Sequence, residues 1–157
     1  MNGVTYAGFW KRFLAHIIDQ FVVGIAEAIV LIPLFLVVGL GAVGASASED
    51  FEGDPDMFMA LLAGPIMLAI VIAVVGTWLY YALMESSKLQ GTLGKMALSI
   101  KVTDLAGNKL SFGRATGRYF AKIISGLIMG IGYIMAGFTQ QKQALHDIIA
   151  SCLVVNK

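Results

Sequence analysis

The sequence predicts an all-α membrane protein with two full transmembrane helices, a re-entrant helical hairpin and a small cytoplasmic β-hairpin or three-stranded sheet. Three observations carry that prediction. Hydrophobic residues make up 58% of the 157-residue chain and charged residues only 13%, with a mean hydropathy of +0.81, far from the balance of a soluble domain. Two apolar runs exceed the roughly 20 residues that a helix needs to cross about 30 Å of hydrocarbon. Charge is also segregated: no Lys or Arg occurs between Arg12 and Lys88, and basic residues crowd the stretch after it. A chain of this length forms one domain, residues 1–157, with little left over for a catalytic domain outside the bilayer. The net charge of +1 and the scattered basic residues do not suit a nucleic-acid partner.

The first span covers residues 13–43, longer than one perpendicular crossing, so it tilts or extends beyond the membrane. Lys11 and Arg12 before it and Ala45-Ser46-Ala47 after it have the outline of a cleaved signal peptide. The apolar stretch is too long for one, however, and Asp19 and Glu27 interrupt it. Residues 45–56 form an acidic external loop with Glu49, Asp50, Glu52, Asp54 and Asp56. Their spacing lacks the ordered ligand pattern of a calcium loop, so a solvated turn is the better reading. The second span covers residues 57–84 and contains no charged side chain; Pro65 is its kink site. Lys88, Lys95, Lys101, Lys109, Arg114, Arg118 and Lys122 then place the following segment in the cytoplasm with the amino terminus. Tyr6, Phe9 and Trp10, with Trp78, Tyr80 and Tyr81, supply an aromatic belt on that side. The expected location is the cell inner (plasma) membrane, with both termini cytoplasmic.

Residues 85–117 read as a cytoplasmic insertion. A short helix is expected from 92 to 98. Ile100 and Val102 then alternate with Lys101 and Thr103, Ala106-Gly107-Asn108 makes a turn, and Leu110 and Phe112 alternate around Ser111, the pattern of a β-hairpin. The string Gly91-Thr92-Leu93-Gly94-Lys95 lacks the spacing and the final Ser or Thr of a phosphate loop. Residues 118–140 are long enough for a third crossing, but basic residues flank both sides and Gly126, Gly130 and Gly132 interrupt the run. A re-entrant hairpin is therefore preferred. Residues 143–155 read as an amphipathic helix followed by a terminal strand that joins the hairpin.

The chemistry concentrates on one stripe of the first helix, where Arg12, His16, Asp19 and Glu27 follow one another at offsets of four, three and eight residues. At ~1.5 Å per residue Asp19 lies about 10 Å into the span and Glu27 about 20 Å. Carboxylates at such depths cost about 2.5–3.5 kcal/mol on insertion scales, so they face protein or a wet cavity. His146 and Asp147 close the chain. Arg12, Asp19 and the string Ala144-Leu145-His146-Asp147 resemble the RDD family of membrane proteins, named for one arginine and two aspartates. The resemblance extends over Gly91-Thr92-Leu93-Gly94-Lys95, residues 100–104 and Ser111-Phe112-Gly113-Arg114-Ala115. It implies that Arg12, Asp19 and Asp147 are the family's residues, and a membrane transport role, some members being described as cation and proton antiporters.

The expected function is a small membrane transporter that exchanges monovalent cations for protons through buried carboxylates, using Arg12, His16, Asp19, Glu27, His146 and Asp147. Desolvation that raises a carboxyl pKa lets it trade a proton for a hard cation near neutral pH. The alternative is a non-transporting assembly or accessory subunit whose Arg/Asp network is structural. Partners are the lipid bilayer, monovalent cations and protons, and a second copy or another membrane protein, since Gly24, Gly39, Gly41, Gly44, Gly64 and Gly76 allow close helix approach. An enzyme is not expected: HExxH, a nucleophile elbow and a phosphate loop are missing. His16, Asp19, His146 and Asp147 form a conceivable metal set, but neither a metal nor a cofactor is expected.

Overall fold

Helix α1 runs from Phe9–Ser46 and helix α2 from Pro55–Ser86 in the computed structural model, which describes residues 5–47 and 55–157. Glu49, Asp50, Glu52 and Asp54 of the expected acidic loop lie outside the described residues. Both helices overrun the predicted spans by a few residues, because the polar residues at their ends, such as Lys11 and Glu85, continue the backbone ladder without breaking it. Pro33 and Pro65 sit inside the helices, as apolar spans tolerate. The stretches Phe9–Gly44 and Leu62–Ser86 are long and apolar enough to cross a membrane, and only 6% of either apolar window is buried within the chain. Side chains such as Phe21, Ile25, Ile29 and Leu40 on α1, and Met67 and Val71 on α2, are exposed. Continuous apolar surface of that extent belongs in lipid rather than water. The chain is a membrane protein.

The described residues form two compact units. One is Val23–Thr77, the apolar middle of α1 and the first part of α2, in which the Thr77 hydroxyl donates to Glu27 Oε1 at 2.8 Å. The other joins Met1–Val22 to Trp78–Lys157. Beyond the ends of α1 and α2 it contains helix α3 (Leu93–Ala97), strand β1 (Ile100–Asp104), helix α4 (Phe112–Leu127) and helix α5 (Ile131–Ile134), which runs on into a 3-10 turn at Met135–Gly137. Helix α6 (Leu145–Ile149) and strand β2 (Cys152–Asn156) end it.

The sheet departs from the expected hairpin. β1 pairs antiparallel with β2, in the register Ile100↔Asn156, Val102↔Val154 and Asp104↔Cys152, and Leu110-Ser111-Phe112 is not its second strand. Local capping explains this. Asp104 Oδ1 accepts from the N–H groups of Ala106 and Asn108 and closes a turn, while the Ser111 hydroxyl accepts from Arg114 N–H and starts α4 at Phe112, six residues before the predicted segment 118–140. An N-cap hydroxyl satisfies a free helix donor, which competes well with a two-residue strand. The other edge of β2 is covered by residues 5–7: Ala7 N–H donates to the Val154 carbonyl and Asn156 N–H to the Thr5 carbonyl, each at 2.9 Å. Ile100, Val102, Leu110, Cys152 and Val154 bury completely or nearly so beside Ala7 and Ala15, and each large aliphatic residue there contributes about 1.5–3 kcal/mol of burial.

The last apolar segment is sharply bent. α4 and the arm formed by α5 with its 3-10 turn meet at 116°. Met129 and Gly130 take φ of 55° and 76° at the corner, a left-handed conformation that glycine adopts without steric cost. The expected break within 118–140 falls at Gly130.

Candidate functional site

Five elements deliver charge to one buried network. Arg12 comes from α1, Glu85 from the end of α2, Lys95 from α3, Arg118 from α4 and Asp147 from α6. Arg12 Nη1 donates to Asp147 Oδ2, and its Nε to the Ala7 carbonyl at 2.9 Å. Arg118 binds Asp147 Oδ1 through Nε at 2.9 Å and Nη2 at 2.7 Å, and Glu85 Oε1 through Nη1 at 2.6 Å. Lys95 Nζ reaches the same Glu85 oxygen at 2.5 Å. Asp147 Oδ2 also accepts from Ala144 N–H at 3.0 Å, which ties the first turn of α6 to the network. Asp147, Glu85 and Arg118 are essentially inaccessible. Such pairs nearly break even against apolar packing when complete, but losing one partner leaves an uncompensated buried charge.

Asp19 is held differently. Its Oδ1 accepts from the Tyr80 hydroxyl and Gly94 N–H, both at 2.8 Å, and its Oδ2 from the Thr92 hydroxyl at 2.5 Å. Tyr80 in turn accepts from Leu93 N–H at 3.0 Å. The Gly91-Thr92-Leu93-Gly94-Lys95 string thus has a structural meaning: Thr92 and Gly94 hold Asp19, and Lys95 holds Glu85. Gly94 must be glycine, because a Cβ there would meet the Ala15 carbonyl oxygen at 2.1 Å and Asp19 Cγ at 3.0 Å.

Between these two polar clusters lies a cavity of about 450 Å³, within the range of small-ligand sites. Its charged wall is Arg12, Asp19, Lys95, Arg118 and Lys122, with His16 and His146; its apolar wall includes Phe9, Phe13, Tyr133 and Ile134. Two cations there retain donor capacity. Arg12 Nη2 is buried and has no hydrogen-bond partner among the described residues, an arrangement that costs about 1–3 kcal/mol when nothing fills it. Lys122 Nζ lies 3.9 Å from the Tyr81 ring centroid and 3.8 Å from Glu85 Oε1, its ion pair being the longest in the network. Among the described residues no three His, Cys, Asp or Glu side chains converge on a metal position.

Burial, reinforced by Arg118, pushes the His146 imidazole down to about 2. It is therefore neutral beside Asp147, 3.6 Å away, and its Nδ1 lies 3.3 Å from the Ser125 hydroxyl. Burial alone would raise Asp147, but Arg118 and Arg12 hold it well below the usual carboxylate range. Burial also pushes the Cys152 thiol up to about 12, which makes it an inert core side chain. Acid should act on this site in two stages. Below pH ~6.5 the unfolded chain binds a proton at His146 that the folded chain refuses, so stability falls as pH decreases. Below pH ~4 Asp147 adds a steeper loss, because only the unfolded carboxylate is protonated there. Thermal unfolding in detergent should show a lower midpoint at pH 5.5 than at pH 7.5, and His146→Gln should remove most of that difference; a His146→Gln variant with the same pH slope would contradict the assignment.

Of the residues singled out from sequence, Arg12, His146 and Asp147 meet in the ion-pair network. His16 and Asp19 line the same cavity through other partners, His16 Nδ1 lying 3.4 Å from the Tyr81 hydroxyl. Glu27 lies in the other unit with Thr77 and does not join them. Sequence reasoning treated Lys95, Arg118 and Lys122 as topology markers and passed over Glu85, Tyr80 and Thr92 as site residues. The available signals were Glu85, which ends a long uncharged run, and the spacing of Ala115, Arg118, Ala121, Lys122 and Ser125 on one side of α4.

Residues 6–151 match the family model described as the RDD family. A Bacillus subtilis (strain 168) protein named uncharacterized protein YxaI is 40% identical over 151 residues, covering 96% of this chain and 97% of the relative. A second from the same organism, named uncharacterized membrane protein YteJ, is 31% identical over 159 residues, covering 98% of this chain and 82% of the relative. No solved structure gives a significant match. By the extent of the family match and the identity to full-length relatives, the chain belongs to the RDD family.

Proposed function

We propose that this protein is a non-transporting membrane accessory protein, in which the Arg–Asp network is a structural clamp around a ligand-binding cavity. The observation that supports this reading is the occupancy of Asp147: Arg118 takes one oxygen twice, while Arg12 and Ala144 N–H take the other. A cation entering there would have to displace a buried guanidinium. A proton carrier also needs a carboxyl that titrates near neutral pH, whereas Asp147 is held far below it. The hydrogen bonds between residues 5–7 and β2, together with the basic residues after α2, favour both termini lying on the cytoplasmic side of the cell membrane. A second copy or another membrane protein would be the assembly partner.

Cation–proton exchange is the second reading, and two carboxylates favour it. Asp19 is held by hydroxyls and an amide, and Glu27 is hydrogen-bonded to Thr77 inside an apolar stretch. Proteoliposomes containing only this protein decide between the two. Under a sodium or potassium gradient, proton movement should not exceed that of protein-free vesicles, whereas Asp147→Asn should lower the unfolding midpoint. Cation-driven proton flux that disappears in Asp19→Asn or Glu27→Gln would replace the clamp reading with the exchanger.

A further inference from the structure

The strongest unassigned feature is the mixed wall of the central cavity, and it identifies a ligand class for the binding role proposed above. Four cationic side chains, Arg12, Lys95, Arg118 and Lys122, line it, while Asp19, Glu85 and Asp147 are the carboxylates that line or back it. With Lys122 protonated and the neutral His146 beside them, this leaves one positive charge in excess. The excess has an address. Arg12 Nη2 is buried without an acceptor among the described residues, and Lys122 makes only a long pair with Glu85 while lying over the Tyr81 ring. Arg118 and Lys95, by contrast, are engaged at 2.5–2.9 Å. A single phosphate or carboxylate would supply the acceptors that Arg12 and Lys122 lack, through charge-assisted hydrogen bonds.

The rest of the wall says where such an anion would come from. Phe13 and Ile134 line the cavity yet are 43% and 47% exposed, so its apolar side continues onto the surface of a membrane-embedded chain. A free inorganic anion gains nothing from that surface, whereas a lipid can leave its chain there and place only its head inside. The volume of about 450 Å³ admits a small head rather than a bulky one. We propose that the cavity binds the head of an anionic lipid, a phosphomonoester or carboxylate, with Arg12 and Lys122 as its ligands and Phe13 and Ile134 against the start of its chain. This rests on the cavity being a binding site, and adds the identity of what it binds.

The test uses the purified full chain in a neutral detergent, with radiolabelled oleoyl lysophosphatidic acid as the probe and monooleoylglycerol and inorganic phosphate as competitors. Saturable binding is expected, displaced by neither competitor at the same concentration. Lys122→Gln should weaken it by about tenfold, and Lys122→Arg should recover most of that loss, because each retains the stem and only one retains the charge. Equal competition by monooleoylglycerol would overturn the proposal, since the head would then be irrelevant. Equal competition by inorganic phosphate would overturn it in favour of a free-anion site. Should Lys122→Gln fail to fold, the competition series on the unaltered protein decides alone. Failure here leaves the clamp standing if Asp147→Asn still destabilises and flux stays at background; cation-driven flux would remove the clamp reading whatever the lipid does.

Discussion

Replacing Arg118 with Met should destabilise the protein by about 3–5 kcal/mol, the range for removing one partner from a buried ion network. Arg118 donates to two carboxylates through three nitrogens, at 2.6, 2.7 and 2.9 Å. Without it, Glu85 keeps Lys95 and a distant Lys122, and Asp147 keeps Arg12, so neither loses every cation. Each nevertheless loses its best-aligned donor in a place where water cannot substitute. Met preserves much of the aliphatic stem that Arg118 buries from α4, so the loss reports charge and hydrogen bonding rather than a void. The companion variant Arg118→Met with Glu85→Leu and Asp147→Asn should be less destabilised than the sum of its single changes, because the stranded charges are removed together. The measurement is the unfolding free energy in detergent across the set. A loss below about 1 kcal/mol for Arg118→Met, the level of an exposed pair, would show that the network is wetter than its burial indicates.

The same residues show what a sequence reveals and what it conceals. The apolar spans were legible because lipid imposes length and composition on a helix regardless of what packs around it, and α1 and α2 overrun their predicted limits by only a few residues. The break in the last segment was legible for a similar local reason, since Gly130 adopts positive φ there. The sheet was read less well. The alternation around Leu110 and Phe112 fits a strand, but the Ser111 cap and the Asp104 turn act over two to four residues and settle that stretch before any strand partner arrives. The terminal strand expected to join the sheet does so as β2, but as the direct partner of β1 in place of residues 110–112, a choice that periodicity alone does not encode.

The site divides in the same way. Arg12, His16 and Asp19 were placed on one stripe because helix geometry fixes their relative directions, and they do line one cavity. Glu27 obeys the same arithmetic yet pairs with Thr77 elsewhere, because a stripe gives direction but not neighbours. The pairing of Arg12 with Asp147, and of Glu85 with Arg118, joins residues 135 and 33 positions apart. Nothing local distinguishes such a basic residue from one that simply marks the cytoplasmic side, which is why Arg118 and Lys122 passed for topology signals.

Gly94→Ala should be the most damaging change by the fewest atoms. A Cβ at this position would lie 2.1 Å from the Ala15 carbonyl oxygen and 3.0 Å from Asp19 Cγ. The first obstacle is backbone within a long helix, so it cannot rotate aside as a side chain would. Either α3 withdraws from α1 or α1 bends. Withdrawal of α3 also carries away the Gly94 N–H and the Thr92 hydroxyl, two of the donors on Asp19, and shifts Lys95 from Glu85. One methyl group therefore couples overpacking to the loss of charge-assisted hydrogen bonds, and the cost should lie at or above the upper end of the usual overpacking range of about 1–3 kcal/mol. Gly113→Ala is the control. It lies in the first turn of α4 with open space around a new Cβ, so the higher helix propensity of alanine should leave stability unchanged or raise it by up to about 1 kcal/mol. Comparable unfolding midpoints for the two variants would mean that α3 does not press against α1 at Ala15, and the account of Asp19 as a carboxylate fixed by that contact would fall with it.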